Sequence, residues 1–124
     1  MKKLFLYTLY LIPLCLFLSC AKEGPGGKAV IKGRVMHLSQ PIPGAAVYIK
    51  YGAKESPGTD ITYYDASVNA DANANYEFVD LKRGDYYLFA VGYDSVGVYP
   101  VSGGMPTEIK SKTETVLVEV QVVQ

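Results

Sequence analysis

Apolar and polar residues alternate through much of this 124-residue chain, and the alternation predicts strands. Over 29–36, Ala29, Ile31, Gly33 and Val35 fall on one side and Lys32 and Arg34 on the other, as in a half-buried strand. Pro41-Ile42-Pro43-Gly44 should end it, because the prolines fix φ and Gly44 accepts a positive φ. A second strand is expected over 45–51, with Val47 and Ile49 on one face and Tyr48 and Lys50 on the other. The stretch 52–60 reads as a loop around Ser56-Pro57-Gly58, an extended pattern resumes over 61–68, and 69–75 is small and polar. Tyr76, Phe78 and Leu81 return to the core before a tight turn at Lys82-Arg83-Gly84-Asp85. Residues 86–93 are the most apolar of this part, as expected of a central strand covered on both faces. The stretch 94–106, with Pro100, Gly103, Gly104 and Pro106, reads as irregular. Val116, Val118, Val120 and Val122 then line one face of a last strand over 113–123.

The first 20 residues follow another pattern. Lys2 and Lys3 precede an apolar run from Leu4 to Leu18, about 15 residues long and short of the roughly 20 that span a bilayer. A charged start, a short apolar middle and small Ser19 at the exit describe a secretory signal peptide. Phe17-Leu18-Ser19-Cys20 resembles the lipobox of bacterial lipoproteins, with Leu18 and Phe17 where smaller or aliphatic residues are more usual. The resemblance implies cleavage after Ser19 and lipidation of Cys20, with two or three acyl chains for firm attachment. The expected layout is a signal peptide over 1–19, the lipidated Cys20 and a flexible tether over 20–28, and one β-sandwich domain over 29–124. Ala21 in place of Asp favours the outer membrane by the same resemblance, and Lys22-Glu23 resembles a short charged signal for surface display. Cys15 leaves with the peptide, so no intramolecular disulfide is expected.

Setting aside Lys2 and Lys3 leaves 10 Lys and Arg against 12 Asp and Glu, a net charge of about −2. No basic patch is expected, and nucleic acid is not an expected partner. Residues 20–124 hold nine tyrosines, two phenylalanines and no tryptophan, a composition that favours strands. About seven short strands between turn signals, with no helical pattern, predict an all-β sandwich.

Two segments carry a family resemblance. Ile31-Lys32-Gly33-Arg34-Val35 with Pro41-Ile42-Pro43-Gly44-Ala45-Ala46-Val47-Tyr48-Ile49 resembles the start of a carboxypeptidase regulatory-like domain. Asp71-Ala72-Asn73-Ala74-Asn75-Tyr76-Glu77-Phe78, then Leu81 and Gly84-Asp85-Tyr86-Tyr87-Leu88, resembles its middle. The resemblance covers roughly 30–93 and implies a seven-stranded Greek-key sandwich of the transthyretin type. It implies an accessory module without peptidase activity. The family usually has glycine where this chain has Ala74; if that turn needs a positive φ, Asn73 or Asn75 is expected to supply it.

Candidate chemistry is sparse. His37 is the single histidine and HExxH is absent, so a zinc hydrolase is not expected; His37 reads as a surface residue at a strand end. Ser39 offers a formal triad partner with no supporting motif, so no catalysis is expected. Asp71-x-Asn73-x-Asn75 resembles half of a calcium loop, but Tyr76 and Lys82 stand where an EF-hand needs Gly and Glu. Asp71, Asn73 and Glu77 remain candidate ligands of an irregular calcium loop, against the simpler reading of a hairpin turn; no cofactor is expected. Tyr51, Tyr63, Tyr93 and Tyr99 are the candidates for stacking on a glycan, against the simpler reading that outward tyrosines suit a pleated surface. The leading expectation is a non-catalytic envelope lipoprotein that contacts another envelope protein, with an exposed edge strand as the docking element. The alternative is a carbohydrate-binding module that uses those tyrosines.

Overall fold

The strand β1 (Pro25–His37) is the spine of the fold. The computed structural model describes residues 22–124, so the segment expected as a signal peptide and Cys20 lie outside the described residues. β1 pairs antiparallel with β2 (Gln40–Pro41) and β5 (Asn75–Leu81). It pairs parallel with β8 (Thr115–Leu117) and β9 (Val120–Gln121). The second sheet runs in the order β4 (Ala66–Asn69), β3 (Ala46–Tyr51), β6 (Gly84–Asp94), β7 (Tyr99–Ile109). The two sheets form an all-β sandwich. Alternation does the sorting: Ile31 and Val35 of β1, Val47 and Ile49 of β3, and Tyr86 and Leu88 of β6 are fully buried between the sheets. Val120 and Val122 close the core from the C-terminal arm, as their spacing predicts.

Several expectations change. Among the described residues nine strands replace about seven, because β2 and β7 form where a turn and irregular chain were expected and the last strand divides into β8 and β9. The stretch 61–68 is a 3-10 turn (Ile61–Tyr63), capped by the Asp60 carboxylate, before β4 begins. β1 starts at Pro25, inside the stretch expected as tether, and Gly24 is already buried with its amide donated to the Tyr86 hydroxyl at 2.9 Å.

The largest change is β7, an 11-residue strand where irregular chain was expected. Prolines and glycines usually break strands, but β7 is an edge strand. Ser102 donates its amide away from β6, to the Val123 carbonyl at 2.9 Å. Pro100 and Pro106 share that parity, so neither costs a bond to β6. A side chain at Gly103 would overlap the Gln121 carbonyl, and one at Gly104 would meet the Tyr87 ring. These residues fit an edge covered by the C-terminal arm on one side and an aromatic ring on the other.

Ala74 also departs from expectation. It takes the positive φ itself, at +66°, and is fully buried. Its amide donates to the Asp71 carbonyl and its carbonyl accepts from Val35, so the sheet holds it there. The flanking asparagines do not relieve the strain.

Candidate functional site

Two hairpin tips meet at the end of β1. Leu38-Ser39 joins β1 to β2, and residues 95–98 join β6 to β7. His37 and Asp94, the last residues of β1 and β6, are both buried, and His37 Nδ1 lies 2.8 Å from Asp94 Oδ2. That contact places the Nδ1 proton between them. The other carboxylate oxygen accepts from the amides of Val96 (2.9 Å) and Gly97 (3.0 Å). The Tyr99 ring stands edge-on to the imidazole with centroids 5.6 Å apart. One carboxylate therefore shapes its own turn and latches it to the neighbouring hairpin. His37, expected on the surface, is buried because this pair satisfies it.

The latch holds an apolar display. Leu38, Val96 and Val98 are 79%, 72% and 69% exposed, and Leu38 and Val98 have φ of +57° and +64°. For β-branched Val98 this is a strained conformation, costing on the order of 1–3 kcal/mol. Strain of this kind persists only where surrounding bonds overdetermine it, here the Val98 amide on the Asp94 carbonyl at 2.7 Å.

The Gly97 amide first, and His37 second, hold the Asp94 carboxyl below its ordinary value. A depressed folded-state value gives stability above the unfolded value, near pH 4, that is lost as pH falls through the folded one. Asp94→Asn is expected to lower the thermal midpoint at neutral pH and to flatten its fall below pH 4. Superimposable midpoint profiles from pH 7 to pH 2 would count against the latch.

The four candidate tyrosines do not form one platform. Tyr63 and Tyr93 are exposed, but Tyr51 is half-buried with its ring 6.0 Å from Tyr86, and Tyr99 packs on His37. Tyr51 pairs with Tyr86 at one end of β6, and Tyr93 lies seven residues along, about 24 Å away. Tyr64 instead stacks on Phe89 with centroids 5.6 Å apart, and Tyr48 flanks both rings. The adjacent pair Tyr63-Tyr64 thus puts one ring on the outer face of the sheet as packing.

Asp71, Asn73 and Glu77 build a turn more than a ligand set. One Asp71 oxygen accepts the amides of Asn73 (2.8 Å) and Asn75 (2.9 Å). Asp71 and Glu77 do face one shallow cleft of about 460 Å³, but Lys32 lines it too and sits opposite Glu77 in the β1–β5 register. A resident ammonium opposes a cation there. Among the described residues no group of three His, Cys, Asp or Glu is placed to hold a metal.

No protein-family model matches the chain, and no curated protein matches it. Among solved structures it is similar to the major pilin subunit of Bacillus cereus, with a TM-score of 0.49 and 12% identity, over 77% of this chain and 30% of that one. It is also similar to a proposed carbohydrate binding protein of Pseudomonas aeruginosa, with a TM-score of 0.44 and 18% identity, over 80% of this chain and 92% of that one. The chain spans less than a third of the pilin subunit's length. Likenesses this distant carry no argument about binding, so function has to be read from the chain's own surface.

Sequence reading overlooked the latch because its halves are 57 residues apart. The available signal was Asp94-Ser95-Val96-Gly97, an acidic residue opening a turn whose amides its carboxylate then accepts.

Proposed function

We propose that the chain is a non-catalytic, lipid-anchored envelope domain that docks on another envelope protein through its two latched hairpin tips. The observation that carries this reading is the exposed apolar trio Leu38, Val96 and Val98, with Leu38 and Val98 at positive φ, beside the buried His37–Asp94 pair. Solvation alone does not favour that arrangement; a partner that covers the trio would repay its cost. The tips lie at the end of β1, up to roughly 40 Å of strand from its start. With Cys20 acylated, they would point away from the anchoring membrane. The hydrogen-bond partners of His37 are Asp94 and Tyr99, and no serine, threonine or cysteine bonds to it among the described residues, which favours a latch over a nucleophile–base pair.

Cross-linking in intact cells tests the reading. The unmodified chain should yield a heteromeric product that Leu38→Asp with Val96→Asp reduces at least tenfold, with the thermal midpoint within about 2 °C. Only monomer from the unmodified chain would sink the proposal. Acylation is read separately, from the mass of the N-terminal peptide of protein extracted from native membranes.

A further inference from the structure

Ten Lys and Arg lie within 22–124, and five of them line one cleft: Lys22, Lys28, Lys82, Arg83 and Lys112. Among the described residues no acidic side chain lines it, and its volume is about 510 Å³. An expectation therefore changes: a domain of net charge about −2 with no basic run does assemble a basic patch, from three separate turns.

The cleft has a structural origin. Pro25 and Ala29 both register with Leu81, so residues 26–28 bulge out of the β1–β5 pairing. Gly26 and Gly27 form one wall of the opening, the β5–β6 turn another, and Lys112 and Thr113 the third. The Lys82 amide ties the turn to the Gly24 carbonyl at 2.8 Å. Neighbouring acids face elsewhere. Glu23 accepts the Asp85 amide at 3.3 Å, and Glu114 accepts those of Lys110 (2.8 Å) and Ser111 (3.2 Å). Among the described residues the ion pairs are His37–Asp94 and Lys50–Asp65, and Lys22, Lys28, Arg83 and Lys112 join neither. Positive charge concentrated in a concave site draws anions to it.

We propose that this cleft binds the phosphate of an anionic phospholipid headgroup. Lys22, Lys28 and Lys112 supply mobile ammonium donors, and Arg83 supplies a planar fork suited to two phosphate oxygens. The volume exceeds that of a bare phosphate and suits one carrying its glycerol substituent, against the apolar floor that Leu81 provides. Lys22 lies two residues after Cys20, about 7 Å of chain. The cleft therefore opens beside the bilayer if Cys20 is acylated. That placement rests on the proposed anchor; the headgroup chemistry does not.

The test uses the full chain in neutral detergent, titrated with dihexanoyl phosphatidylglycerol, dihexanoyl phosphatidylcholine and inorganic phosphate. The amide NMR shifts of Gly26, Gly27 and Thr113 report binding. Phosphatidylglycerol is expected to bind at least tenfold more tightly than the other two, and less tightly as salt rises. The triple variant Lys28→Gln, Arg83→Gln, Lys112→Gln should lose at least tenfold in affinity, and Lys112→Glu alone should lose severalfold. All three positions are exposed, so the thermal midpoint should hold. Equal binding of inorganic phosphate would overturn the lipid source. Equal binding of the two lipids, or indifference to the substitutions, would overturn the site. Short-chain lipid needs no anchor, so a failure here leaves acylation of Cys20 to its own measurement.

Discussion

Gly33→Ala should destabilise the domain by about 3 kcal/mol or more, the largest effect expected of any single methyl group in this chain. A Cβ at Gly33 would overlap the Val118 carbonyl oxygen, where the C-terminal arm crosses β1. That carbonyl accepts from the buried Tyr76 hydroxyl at 2.7 Å, and the Val118 amide donates to the Lys32 carbonyl at 2.8 Å. Backbone cannot step aside as the end of a flexible side chain can, so the arm has to lift. Lifting it exposes Val120 and Val122, each stabilised by about 1.5–3 kcal/mol when fully buried. Urea unfolding should show the loss, and limited proteolysis should cut the variant first within 111–124. A variant within 0.5 kcal/mol of the parent would mean that the arm is not docked as described.

Tyr86→Ala and Tyr86→Phe form the second prediction, as a pair. Tyr86 is the largest fully buried side chain, and its ring meets Tyr51 edge-on. Its hydroxyl accepts the Gly24 amide at 2.9 Å and donates to the Lys82 carbonyl at 2.6 Å. Removing the ring should cost about 3–5 kcal/mol, as for other buried aromatics. Removing the hydroxyl alone should cost about 1–3 kcal/mol, because a buried donor and a part-buried acceptor lose their partner together. The Phe variant should also speed hydrogen exchange at the Gly24 amide while leaving exchange in β3 unchanged. Equal exchange in parent and Phe variant would show that something else holds residues 22–24.

Most of the sandwich was legible in the sequence because burial here follows strict alternation. The 29–36 segment lies within β1 and 46–51 forms β3, with the expected faces inward, whereas 86–93 lies within β6 but is not covered on both faces, since Val91 and Tyr93 are exposed. The failures share a cause, which is contact between residues far apart along the chain. β7 reads as broken until its edge position excuses Pro100 and Pro106. The positive φ of Ala74 is imposed by bonds to Asp71 and Val35. The latch and the basic cleft depend on which turns meet, and no local pattern encodes that. Which tyrosine rings pack on the sheet depends on the 52–65 segment, which lays Tyr64 over Phe89.

The parallel pairing of β1 with the C-terminal arm has a kinetic consequence. Val30 registers with Thr115, 85 residues later, so the ladder of β1 is complete only once that whole span has been made. Closing so long a loop costs entropy before any contact repays it, which slows folding. A chain emerging N-terminus first would hold β1 half-paired until residues 115–121 are out. Emergence of 115–121 would then be the event that triggers folding, and chains cut short near 110 should stay open to proteases.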